Sequence, residues 1–269
     1  MDAFLSLKGV EGVVFVLTTL ATAYFASVAY RKYVKALRSS VVRTVARSVL
    51  SKFTYAGEQY VSLERFTASK LFGEWNNFSG NDLLTGEVGG FAFESSELNV
   101  SKTSGSGRSR STKVIFKGIF FALDFGVAAP TEIFIQPDTL EKRLGSFGRV
   151  LQEKIHSLKG HELVLMPNSD FERHFVVSSP EADRIGTQLN GDFLKVLMDL
   201  VHRFDCPIHA SFVGTRLYVG LESSSDFFVP SLWKTLSEAH VSSVAMSLRD
   251  LVAHAERLAQ SQSHACRAA

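Results

Sequence analysis

Asp170-Phe171-Glu172-Arg173-His174 brings two carboxylates and an imidazole into a five-residue run. On an extended strand alternate side chains share a face, so Asp170, Glu172 and His174 would project together. Such a trio suits general acid and base work if a pocket encloses it. On a solvated strand face or turn the same residues would do no more than pair locally with Arg173. A second constellation is Cys206-Pro207-Ile208-His209, with His202 one helical turn before Cys206. Zinc needs a third or fourth ligand and none is indicated, so the segment reads as a helix-to-strand corner and no metal is assigned. The chain has no Walker lysine loop, nucleophile elbow, H-E-x-x-H or Rossmann glycine fingerprint, and GSGRS and GSFGR lack the required spacing. These absences favour binding over catalysis, with no cofactor expected.

The elements that would carry these residues begin with an apolar run. Residues 13–29 read VVFVLTTLATAYFASVA without a charge. At about 1.5 Å per residue a helix over residues 12–30 covers roughly 28 Å, close to the hydrocarbon thickness of a bilayer. Arg31, Lys32, Lys35, Arg38, Arg43, Arg47 and Lys52 follow, with no acid before Glu58. By the positive-inside rule this puts the N-terminus outside and the remainder in the cytoplasm. Two other readings compete: a signal peptide cleaved near Ala21-Thr22-Ala23, and a buried helix of a soluble protein. Beyond the run, Val34, Leu37, Val41, Val45, Val49 and Phe53 recur at helical spacing among the cations. This basic amphipathic helix could lie on anionic lipid through Arg31, Lys32, Lys35, Arg38, Arg43 and Arg47, or pack on the domain that follows.

Composition bounds the rest. The 269 residues carry 29 Lys and Arg against 27 Asp and Glu, a net charge of +2, which argues against a dedicated nucleic-acid binder. With 45% hydrophobic and 21% charged residues the chain is neither disordered nor polytopic in a membrane. Cys206 and Cys266 cannot make a disulfide framework, which fits a reducing compartment. Strands are expected over residues 86–100 and 112–125, flanking the Ser/Gly-rich basic loop SKTSGSGRSRSTK, which reads as a solvated tip. The run VIFKGIFFALDF is apolar on both faces, as in a central strand covered on both sides. Further strands are expected at 132–136, 162–166, 174–178, 208–213, 216–221 and 226–229, with helices over 140–156 and 192–204. A closing helix carries Leu232, Leu236, Val244, Leu248, Leu251, Ala255 and Leu258, and SQSHACRAA reads as a disordered tail. Trp75, Trp233 and most of the 22 phenylalanines read as core.

LFGEWNNFSGNDLLTGEVGGFAF, VIFKGIFFALDF, NSDFERHFVVSSPEADRIGT and LYVGL together resemble the bacterial membrane-associated family known as domain of unknown function 3137. The resemblance covers residues 55–228. Its most specific pieces are Asp82 with Gly86, the run Phe116-Lys117-Gly118-Ile119-Phe120-Phe121, and Asp170-Phe171-Glu172 with Phe175 and Val177. It implies a membrane-anchored chain with a cytoplasmic α+β domain, and no activity. Where the family pattern has a basic residue after the alanine of Glu181-Ala182-Asp183-Arg184, this chain has Asp183.

The expected fold is therefore α+β: an N-terminal transmembrane helix, then one cytoplasmic domain with a mainly antiparallel sheet and flanking helices. The boundaries are 1–30 for the tail and span, 31–53 for the basic helix, 54–260 for the domain and 261–269 for the tail. The expected function is that of a single-pass protein of the bacterial inner membrane whose domain binds a protein or ligand, with membrane lipid as a partner and no nucleic acid. The alternatives are an enzyme of envelope or lipid metabolism using the Asp170 cluster, and an anionic-lipid sensor.

Overall fold

The computed structural model describes residues 2–50, 52–138, 160–166, 169–223 and 238–268. Helix α1 runs through Asp2–Val49, 48 residues. The apolar run and the basic segment form one helix, because no Gly or Pro interrupts residues 13–50. Within it, Gly12–Ser48 is long and apolar enough to cross a membrane. Phe15, Leu20 and Phe25 are 71%, 62% and 69% exposed, where a core helix would bury them. Thr18, Thr19 and Thr22 donate their hydroxyls to carbonyls one turn back.

After α1 come β1 (Phe53–Ala56), α2 (Leu63–Ala68), β2 (Asn77–Val88), β3 (Phe91–Ser104), β4 (Ser111–Asp124), β5 (Ile133–Pro137) and β6 (Glu162–Val164). Then follow α3 (Ser169–Glu172), β7 (Phe175–Ser179), α4 (Gly191–Phe204), β8 (Ile208–Val213), β9 (Arg216–Glu222) and α5 (Glu238–Ala268). The nine described strands make one sheet in the order β1-β2-β3-β4-β9-β8-β5-β7-β6. Every pairing is antiparallel. The α+β class with an antiparallel sheet and flanking helices is thus observed.

The double-sided apolar pattern of β4 has its physical cause here. Ile119, Phe121 and Leu123 enter the core under α1, α4 and α5. Phe116, Phe120 and Ala122 enter a second core with Phe66 of α2. Gly118 has φ of +147°, and a Cβ there would stand 1.9 Å from the Leu221 carbonyl oxygen of β9. Only glycine lets β4 pass so close to its neighbour. The expected strand over 86–100 is instead split by a turn at Gly89-Gly90, both with positive φ, and its first residues belong to β2.

On the α4 side, Asn190 caps α4 by accepting the Phe193 N–H at 3.0 Å, and Phe193, Val196, Leu197 and Leu200 are buried. The stripe of α1 that faces the domain is Val42, Val45 and Ala46, continued by Leu50 just past the helix end and rotated slightly from the expected one, and it shares a core with Leu248, Leu251, Ala255 and Leu258 of α5. The lower half of the basic helix therefore packs on protein. The expected disordered tail is helical through Ala268. Ser261 and Gln262 are buried, and Gln262 donates to the Gln188 carbonyl at 2.8 Å. The helix expected over 140–156, the strand over 226–229, and Leu232, Trp233 and Leu236 lie outside the described residues.

Candidate functional site

The acidic cluster does not form the strand face that alternation suggests. Ser169–Glu172 is one helical turn, so Asp170 and Glu172 diverge, and the strand begins only at Phe175. The Asp170 side chain is 63% exposed and pairs with Arg173 at 3.7 Å. Glu172 accepts the Met166 N–H at 2.8 Å. His174 places Nδ1 3.0 Å from the Asp170 carbonyl oxygen. Phe171, Phe175 and Val177 are core, so this segment packs and caps. None of the three candidates lines either cleft described below.

His209 is buried in the sheet, with Nδ1 2.8 Å from Gln136 Oε1 and Nε2 3.0 Å from Glu222 Oε1. Its neighbours come from β5 and β9, which sequence spacing did not connect. With both ring nitrogens engaged, the imidazole is a structural element of the strand. Burial, then the charges of Glu222 and Asp205, push the Cys206 thiol up to about 12, so this cysteine is neither nucleophile nor ready ligand. Among the described residues no group of three or more His, Cys, Asp or Glu is arranged to hold a metal.

On the α2 face a cleft of about 750 Å³ crosses β1, β2, β3, β4 and β9. Its floor follows the register Thr54, Thr85, Glu94, Ala122 across four strands, with Asp124 opposite Arg216 alongside. Arg65 of α2 pairs with Glu94. Arg216 reaches Asp124 Oδ2 at 2.5 Å, while the Thr215 hydroxyl and Gly126 N–H donate to Oδ1 at 2.7 and 3.0 Å. Lys52 pairs with Glu87 at 3.2 Å. The charges of this cleft are thus matched within it.

A second groove, of about 740 Å³ and mostly apolar, lies between α1 and the β1–β2 edge of the sheet. Tyr30, Arg31, Lys32 and Lys35 form the helical wall, and Tyr55, Glu58, Asn81 and Asp82 the sheet wall. The sheet wall owes its shape to a bulge between Asn81 and Leu84, where Asp82 adopts φ of +58°. That conformation turns the Asp82 carboxylate inward to accept the Tyr55 hydroxyl, and the Asp82 N–H donates to Gly57 at 3.2 Å. Arg43 sits over the Tyr55 ring at 5.7 Å, and Lys35 pairs with Glu58. Arg31 folds back along the helix, with Nε 3.3 Å from the Ser27 carbonyl oxygen.

Three of the six predicted surface cations, Arg31, Lys32 and Lys35, therefore come together on one groove wall. Arg38 follows them along α1, and Arg43 and Arg47, farther on, are exposed. Tyr55 and Asn81 were missed, because their approach to α1 follows from a bulge that has no local signature. Gly86 is explained by contact: a Cβ there would stand 2.4 Å from the Lys52 carbonyl oxygen.

These features define a class, an α+β chain with one antiparallel sheet behind a long apolar N-terminal helix. The chain belongs to the family described as protein of unknown function (DUF3137), whose model matches residues 114–259. Asp82 and Gly86 fall before the matched region. No curated protein matches the chain. Among solved structures, the crystal structure of the mycobacterial trehalose monomycolate transport factor A, TtfA, is similar with a TM-score of 0.41 and 11% identity, over 83% of this chain and 95% of that one.

Proposed function

We propose that this is a single-pass protein of the bacterial inner membrane, N-terminus outside, whose cytoplasmic domain is a non-catalytic binding module for an anionic amphiphile. The observation that carries the reading is the groove itself, which has an apolar lining and places Arg31 and Lys32 just past the uncharged apolar run of residues 13–29. Residues 13–29 of a spanning helix cover about 26 Å, so Tyr30 to Lys35 stand at headgroup depth. A phosphate there meets two cations, and an acyl chain or other apolar body meets the groove lining. The excess of cations after the run supports the orientation. An enzyme of envelope or lipid metabolism gains no support from Asp170, Glu172 and His174, which serve packing, capping and a surface ion pair.

The test is photocrosslinking of the full chain in nanodiscs with photoreactive anionic or zwitterionic lipid. Anionic lipid should label the segment around Tyr55 and Asn81, and Arg31→Gln/Lys32→Gln should weaken that labelling. At about 1 kcal/mol per cation near an anionic surface the loss is roughly thirtyfold in affinity. Labels confined to residues 13–29 and indifferent to headgroup charge would refute the reading.

A further inference from the structure

The β3–β4 hairpin outruns its sheet. β9 leaves β4 at Gly118 and β2 leaves β3 at Ser101, so Lys102–Ser104 and Ser111–Lys113 continue as a two-stranded arm closed by residues 105–110. The register sets Lys102 directly opposite Lys113, an arrangement that disfavours the ladder unless anions are near. Glu74 compensates Lys102 at 2.5 Å. Arg110 and Lys113 are exposed and have no ion-pair partner among the described residues, and residues 101–114 contain no acid. Val114 beside them is 58% exposed.

Topology decides where this arm points. Passing back along α1, Leu50 lies by β1, Arg43 covers Tyr55, and Lys35 meets Glu58 just past the end of β1. The N-terminal direction of α1 is therefore the direction in which β1 runs. β1 and β2 are antiparallel, as are β2 and β3, so β3 runs the same way, toward the arm. Asn81 at the groove is opposite Glu97, and the seven residues from there to Ser104 reach roughly 23 Å farther. Sheet twist of about 20–25° per strand sets β3 and β4 oblique to β1, and β1 and β2 stand between them and the sheet edge that α1 lines. The arm thus extends from the domain on the side from which α1 arrives.

We infer that the β3–β4 arm is a second membrane contact, seating Arg110 and Lys113 on the anionic headgroup layer beside the anchor. The inference rests on α1 spanning the membrane as proposed. Helix and arm together hold the domain at two points, which fixes the groove mouth toward the lipid.

The full chain, with Cys206→Ala and Cys266→Ser, is placed in nanodiscs with an environment-sensitive fluorophore at Ser106→Cys or, separately, Ser39→Cys. Headgroup-attached quenchers should quench the Ser106 probe in anionic lipid, and at least severalfold less in zwitterionic lipid, in high salt or in Arg110→Ser/Lys113→Ser. A Ser106 probe equally unquenched in both lipids, while the Ser39 probe is quenched, overturns the arm contact and leaves the anchor reading standing. Failure of both probes to sense quencher overturns both.

Discussion

At Glu94 and Asp124, two carboxylates on one sheet face are driven in opposite directions by their surroundings. Burial raises Glu94 above the ordinary glutamate value, and the nearby Arg65 and Arg216 charges only partly offset it. Burial also pushes Asp124 up, but the Thr215 hydroxyl, the Gly126 N–H and Arg216 together outweigh it and hold the group below the ordinary aspartate value. Asp124 therefore contributes stability above the ordinary aspartate range, which is lost as pH falls through its folded value. Glu94 has the opposite sign: its contribution is complete below the ordinary glutamate range and is lost as pH rises through its raised value. Asp124→Asn should cost about 1–3 kcal/mol at pH 7, the scale of hydrogen bonds to a charged group, and the difference should shrink in acid. Glu94→Gln should flatten the decline above the glutamate range. Urea unfolding of the detergent-solubilised chain between pH 3 and 8 measures both. Equal stability of Asp124→Asn and the unchanged chain at pH 7 would refute this account of Asp124.

Among the elements, the C-terminal end of α5 departs most from its sequence pattern. SQSHACRAA is polar enough to read as a frayed tail, yet Ser261 and Gln262 are buried against the start of α4. Asn190 both caps α4 and donates its amide to the Ser261 carbonyl at 2.8 Å, so the two helix ends share a residue. Ending the chain at Gln260 should lower the melting temperature by several degrees, as loss of the Asn190–Ser261 and Gln262–Gln188 hydrogen bonds implies. An unchanged melting temperature would mean the contact contributes nothing. The acidic turn shows the converse case. Alternation places Asp170, Glu172 and His174 on one face only if the backbone is extended, and one helical turn at Ser169–Glu172 removes that premise.

For the whole molecule, α1 serves as both the proposed anchor and a core element. Its exposed half, from Gly12, and its packed half, with Val42, Val45 and Ala46, belong to one continuous helix. A chain starting at Arg31 should keep a folded domain and bind membranes only in a salt-releasable way, because the packed stripe remains and the span is gone. A chain starting at Lys52 should aggregate, because Leu248, Leu251 and Val252 of α5 lose their cover. Carbonate and salt extraction with circular dichroism distinguish these outcomes, and salt-resistant retention of the Arg31 chain would refute the single-span assignment.

The residues alone determined the long apolar helix, the cations behind it and the antiparallel α+β class, since hydrophobic period and turn chemistry are local properties. They also marked β4 as a strand covered on both sides, which the two cores confirm. Only the tertiary structure decided that Arg31, Lys32 and Lys35 face Tyr55 and Asp82, that Glu94 and Asp124 meet two arginines, and that His209 is enclosed by Gln136 and Glu222. Those neighbours lie 13 to 73 residues apart for His209, and sheet register, a bulge and helix packing bring them together. Separations of that kind leave no periodic trace, because the forces that close them act across the fold and not along the chain.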